Sequence, residues 1–278
     1  MQSVTPRLEV LVDGLDHPEG VAYDPHSGSL WAGGEDGQLY RIDLAQRSVV
    51  EVARAPAFVH GLAVDGRGRM AVCCAPEGSL CAWDGSSVRV VANGLGFPNF
   101  PAFGLDGALY ISDSGSWGRN DGRVLALAAD GALEVLSDGL PHFPNGCAVS
   151  RDGQWLWIVE SYEPTVNRVD LTTGRLEQVM RIDGAVPDGL ALTADDGLLV
   201  SCYRPDRIYH LGADGTLNIV AEDPQGTLLA APTNICFVGD ALDRVVAANL
   251  GRWHLTLLDL GLIGAPLHAP DRWAVDAA

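Results

Sequence analysis

A chain of 278 residues with 47% apolar composition can bury a substantial core. Its 36 acidic and 18 basic residues give a formal charge of -18, which disfavours nucleic acid and anionic membrane as partners, since both select clustered cations. Every basic residue is arginine, so lysine Schiff-base chemistry is excluded, and no Walker loop, HExxH pair or GxSxG elbow is present.

In chain order, the first readable element is the strand-like LEVLVD from Leu8, and six units of about forty residues follow it. The first unit opens with PEGVAYD from Pro18 and continues with alternating strands over Gln38 to Asp43 and Val49 to Val52. The second opens with VHGLAVD from Val59, turns at Asp65 to Gly68 and has its outer strand at Val88 to Val91. The third opens with PNFPAFG from Pro98, turns at Asp106 to Gly107, and predicts strands at Ala108 to Ser112, Arg123 to Leu127 and Leu133 to Leu136. PNGCAVS from Pro144 opens the fourth, followed by a turn at Arg151 to Gly153 and a strand at Trp155 to Val159. PDGLALT from Pro187 opens the fifth, with a turn at Ala194 to Gly197 and strands at Arg207 to Leu211 and Leu217 to Val220; TNICFVG from Thr233 opens the sixth.

Four short strands per unit and six units predict an all-β, six-bladed β-propeller with four antiparallel strands per blade, a single domain over residues 1–278. LEVLVDGLDHPEG at Leu8 matches LEVLSDGLPHFPNG at Leu133, whose first part is a fourth strand. The N-terminal strand is therefore expected to join the last blade and close the ring. The segment after Asp259 has no repeat partner and is expected to pack across a face.

Each unit places one polar residue just before a small or apolar run: Glu19, His60, Asn99, Asn145, Asp188 and Asn234. The first strand of a propeller blade lines the central channel, so these six side chains should converge on one mouth. Six polar groups aimed at one axis are costly unless something satisfies them. Turn chemistry alone would scatter Asn, Asp, Ser and Gly and would not select Glu19. Two carboxylates with amide oxygens suit a hard divalent cation, Ca2+ first, with Zn2+, Mn2+ and Mg2+ as competitors.

On HPEGVAYD at His17, FPNGCAVS at Phe143, PDGLALT at Pro187 and TNICFVGDALDRVVAANLGRWHL from Thr233 to Leu255, the chain resembles the SMP-30/gluconolactonase/LRE-like propellers, distantly like paraoxonases. The resemblance implies lactone or related ester hydrolysis. It also implies a catalytic divalent metal on Glu19, Asn145 and Asp188, with Asn99 as a further ligand or as a holder of water or substrate. A bound cation polarises the carbonyl for attack by water, with Asp188 as ligand and candidate base. VHGL places His60 like the paraoxonase histidine proposed to activate water; the second histidine of that motif has no counterpart in AVCCA, Ala71 to Ala75.

The loops after each second strand should wall the pocket, contributing Glu35, Ser114, Trp117, Glu160, Tyr162, Tyr203, Arg204, Asn249 and Trp253. Asn99, His60, Asn234, Trp117, Tyr162 and Tyr203 are the expected substrate contacts. Sugar-lactone members carry an Arg two residues before the third-blade Asn and Asp-Gly after it, where this chain has Phe97, Pro98, Asn99, Phe100, Pro101. That departure points to a less hydroxylated substrate, an aromatic, terpenoid or alkyl lactone or ester.

The six cysteines form no CxxC pair and read as buried, reduced thiols of a cytoplasmic protein. No stretch approaches the roughly 18 apolar residues of a membrane span, and Met1 to Leu15 does not read as an export signal. Two alternatives stand beside the hydrolase: a propeller of the same ancestry with phosphotriester or strictosidine-synthase-like chemistry, and a non-catalytic NHL-like scaffold. Oligomeric state is open.

Overall fold

In a computed structural model, residues 6–276 are described, and they form six four-stranded antiparallel sheets arranged as a six-bladed β-propeller. Five sheets take four consecutive strands each. The sixth combines Pro232–Val238, Arg244–Asn249 and His254–Asp259 with the N-terminal strand Arg7–Asp13. Arg7 pairs with Asp259 and Asp13 with His254, so the ring is closed by a full strand ladder, as the Leu8 and Leu133 match predicts.

The inner strands are Val21–Asp24, Val59–Val64, Pro98–Phe103, Pro144–Val149, Val186–Leu192 and Pro232–Val238. Middle strands such as Met70–Cys74 and Leu109–Asp113 are buried throughout, because blades cover both their faces. Outer strands such as Ser48–Arg54 are half-exposed and run beyond the apolar stretch Val49 to Val52, since backbone pairing continues where hydrophobicity ends. The core lies between blades rather than within them. One cluster joins Val21, Leu30 and Ile42 of the first blade to Leu11, Val246 and Leu255 of the sixth, which makes ring closure part of the core.

After Asp259 the chain crosses the face opposite the ring motifs. Gly264 bridges to Thr193, the Ala265 amide donates to the Leu192 carbonyl (2.9 Å), and the Gly66 amide donates to the Pro270 carbonyl (3.0 Å). Trp273 ends this strap fully buried; it lies edge-on to Phe103 at 5.3 Å, and its indole N–H donates to Asp65 Oδ2 (3.0 Å). Arg69 ties Asp65 to Asp276, holding the strap end to the second blade.

Candidate metal centre

The ring residues occupy breaks in strand pairing. On the second blade the register passes from Val59 and Cys74 directly to Leu62 and Val72, skipping His60. The same slip skips Asn99, Asn145, Asp188 and Asn234 on the next four blades. A bulge frees a residue from the ladder and re-aims its side chain, here toward the axis. Glu19 stands just ahead of the first inner strand, Val21–Asp24.

Small residues after the ring positions let neighbouring inner strands approach closely. A Cβ on Gly146 would lie 2.6 Å from both the Asp188 carbonyl oxygen and the Gly189 Cα, and one on Gly189 would lie 2.7 Å from the Asn234 Cα. Hydroxyls then tie each blade to the next. Ser114 Oγ donates to the Pro144 carbonyl (2.6 Å), Ser161 Oγ to the Pro187 carbonyl (2.6 Å) and Thr233 Oγ1 to the Glu19 carbonyl (3.0 Å). Ser201 Oγ bonds the Thr233 carbonyl in the same manner. These bonds fix the backbone beside Asn145, Asp188, Asn234 and Glu19.

All six ring side chains are buried. Asn99 Oδ1, Asn145 Oδ1 and Asp188 Oδ1 nevertheless have no hydrogen-bond partner. The Asn145 orientation follows from its neighbour. Ser161 gives its single proton to the Pro187 carbonyl and can therefore only accept from Asn145 Nδ2 (3.1 Å), which leaves Asn145 Oδ1 facing away. Three unsatisfied oxygens beside a buried Glu19 carboxylate form an all-oxygen donor set with two negative charges, which fits a hard divalent cation. Asn234 differs, since its unpartnered atom is the donor Nδ2.

Burial raises the Glu19 carboxyl well above its ordinary value, and the nearby Asp188 and Glu35 charges add to the effect. Burial lifts Asp188 from 3.8 to about 7, with the Asn145 amide opposing. A carboxyl raised on folding contributes no penalty below its unfolded pKa, and the stability it allows is lost as pH rises through the folded value. The metal-free protein should therefore lose stability between pH 4 and pH 7, whereas metal affinity should increase over the same interval because the cation displaces those protons. Melting curves with EDTA and with calcium test this; a metal-free melting temperature that climbs from pH 5 to pH 7 would oppose it.

His60 is neutral at physiological pH, its pKa lowered to about 4 by burial against the contrary pull of the Phe58 carbonyl. Its Nδ1 lies 3.3 Å from that carbonyl, the donor role that leaves Nε2 as a bare acceptor; Nε2 is 3.7 Å from Glu19 Oε2.

From His60 an unbroken run of aromatic rings reaches the rim. Phe58 and Phe97 flank His60 at centroid distances of 4.2 and 4.8 Å. Phe97 touches Phe143 (5.6 Å), Phe143 touches Trp117 (5.0 Å), and Trp117 meets Tyr162 edge-on (5.4 Å). Trp117 and Tyr162 are 56% and 46% exposed, so their faces are available. Tyr203 is half-buried beneath Arg204, outside this run. Trp253, also exposed, packs on His17, whose Nδ1 lies within 3.2 Å of both Asp16 and Glu35.

Three expected wall residues have other roles. Ser114 is the interblade tie already described, Glu160 is buried on the His142 amide and Thr165, and Asn249 is buried on the Ala230 amide. Phe97 is the residue at which the sequence departs from the sugar-lactone pattern, whereas Phe58, Phe143 and Ser161 carry no mark in the repeat, which highlights the ring position and not its packing neighbours.

Residues 17–248 match the SMP-30/Gluconolactonase/LRE-like region. The lactonase drp35 of Staphylococcus saprophyticus is 24% identical over 275 residues, covering 88% of this chain and 82% of the relative. Among solved structures, a gluconolactonase from Xanthomonas campestris aligns with a TM-score of 0.78 at 21% identity, over 92% of this chain and 90% of that one. The calcium-binding protein regucalcin from Agrobacterium tumefaciens aligns at 0.75 and 20% identity, over 94% and 95%. The two structural likenesses show the propeller fold. With the matched region spanning the first ring residue to the last, the chain belongs to the SMP-30/gluconolactonase/LRE-like family.

Proposed function

We propose that the protein is a divalent-metal-dependent hydrolase of a lactone or related carboxylic ester, with calcium as the metal. The observation that carries this reading is the set of buried, unpartnered oxygens of Asn99, Asn145 and Asp188 beside Glu19. A cation held by Glu19, Asn99, Asn145 and Asp188 would supply Lewis-acid polarisation of the scissile carbonyl. His60 Nε2, a bare acceptor, takes a proton from the attacking water, with Asp188 as the competing base. Asn234 Nδ2, an unpaired donor, is suited to hold a substrate oxygen as negative charge develops on it.

The aromatic run from His60 to Tyr162 supports a substrate with an apolar or aromatic body, stacked on Trp117 and Tyr162. The lactonase relative supports a ring ester rather than a phosphotriester. A scaffold without chemistry has no use for a buried acidic ring, which favours the enzyme over the NHL-like reading. Six free, buried cysteines support a reducing, cytoplasmic setting, and among the described residues no helix is long and apolar enough to cross a membrane.

The test is a panel of phenyl- and alkyl-substituted γ-lactones, aryl esters and aldonolactones, assayed with calcium and with EDTA. Phenyl-substituted lactones should exceed aldonolactones at least tenfold in kcat/KM, and EDTA should abolish turnover. Faster aldonolactone hydrolysis would overturn the substrate class. Bound metal without hydrolysis of any panel member would overturn the reaction.

A further inference from the structure

A second space lies on the propeller axis beyond the ring. It has a volume of about 300 Å3, and all six inner strands line it, with Val21, Leu62, Phe100, Val149, Leu190 and Ile235 one from each blade. The strap segment Ala265 to Ala269 covers its far end.

Each inner strand is the terminal strand of its sheet, so the edge it turns to the channel is paired with no further strand of its own blade. The carboxylates in the wall are already committed or solvated. Asp24 accepts from the His26 amide (2.9 Å) and Ser27 Oγ (2.6 Å), Asp65 accepts from Arg69 Nε (2.6 Å) and Trp273 Nε1 (3.0 Å), and Asp240 is exposed at the rim. The chamber is thus largely apolar with scattered hydrogen-bonding groups, and its charged side chains, Asp24, Asp65 and Asp240, are all acidic.

The strap also defines an entrance. It is anchored on the fifth and sixth blades through the Leu192 and Leu242 carbonyls, touches the fourth through His268 Nε2 and the Ser150 carbonyl (2.8 Å), and reaches the second at Gly66. Among the described residues no hydrogen bond ties the strap to the first blade, and the lining residues Pro25, Asp240 and Leu267 are exposed.

We infer that this chamber is a binding site, separate from the metal ring, for a small neutral molecule with an apolar body and one or two hydrogen-bonding groups. At roughly 30 Å3 per water molecule, the volume corresponds to about ten water-sized units, room for a small organic molecule. An anionic ligand is disfavoured because the charged side chains in the wall are all acidic, and a cationic one gains little because Asp24 and Asp65 already accept hydrogen bonds.

The inference stands independently of the proposed hydrolysis, and cyclohexanol, which has no aromatic ring to stack on Trp117 and Tyr162, serves as the probe, titrated by ligand-observed NMR against the full chain. One saturable site with a Kd of about 0.1–1 mM is expected. Leu267→Trp fills the chamber from its exposed mouth, and Val64→Phe fills it from a half-buried wall position. Each should weaken binding at least tenfold, with circular dichroism melting to show that the variant is folded; either variant alone suffices. EDTA and Glu19→Gln should leave binding unchanged. Absence of saturation in the wild type overturns the inference. So does binding that survives in a folded filling variant, or that is lost in Glu19→Gln or with EDTA, which would place the probe at the ring.

Discussion

Asp188→Asn is expected to lower kcat/KM for the best lactone by roughly a thousandfold or more, and at the same time to stabilise the metal-free protein above pH 7. Both effects have one cause. Asp188 is buried, its Oδ1 lacks a partner, and its carboxyl is lifted to about 7 by the loss of water around it. At neutral pH without metal, folding must hold this carboxyl against its preference for solvent or for a proton. The amide keeps the shape and one oxygen but removes the charge, so the unpaired-charge penalty disappears together with half of the ring's negative charge. Activity at saturating calcium and melting curves in EDTA measure the two halves. A variant that loses activity and is also less stable without metal would show that Asp188 serves folding, and would remove it from the site.

Gly146→Ala should be nearly as damaging to metal binding, although residue 146 offers no ligand. The added methyl would sit 2.6 Å from the Asp188 carbonyl oxygen and 2.6 Å from the Gly189 Cα, and both are backbone atoms of the next inner strand. Neither can yield without moving Asp188 itself, whose preceding carbonyl is held by Ser161. A stability loss of about 1–3 kcal/mol is expected from overpacking, with calcium affinity reduced at least tenfold. Isothermal titration and denaturant melts check this. Unchanged calcium affinity would mean that the ring geometry does not depend on the close approach of the fourth and fifth inner strands.

The repeat made the architecture legible because every blade solves the same packing problem. Gln38 to Asp43, Arg123 to Leu127 and Arg207 to Leu211 are strands over the residues expected, since hydrophobic alternation and backbone pairing end together there. The outer strands extend past their apolar stretches because pairing with the third strand continues into exposed sequence, as at Ser48–Arg54. The ring positions were legible for the same reason: Glu19, His60, Asn99, Asn145, Asp188 and Asn234 recur at one place in the repeat. Their supports were not. Ser161 is one of many serines in the chain, and its role depends on the Pro187 carbonyl of another blade. Phe58, Phe97 and Phe143 become one surface only when three blades stand side by side. Ser114, Glu160 and Asn249 misled for the converse reason: a polar residue on a rim loop looks the same in sequence whether it faces ligand or caps backbone.

Calcium titration of EDTA-stripped wild-type protein, with Glu19→Gln and Asn145→Leu in parallel, is the most direct measurement of the central claim. One ion per chain should bind, raise the melting temperature and be weakened about a hundredfold or more in both variants, because Glu19 supplies charge and Asn145 Oδ1 an otherwise unpartnered oxygen. Failure of calcium and of every competing divalent ion to bind the wild type, or binding that both folded variants retain at full strength, would contradict a metal site at the ring.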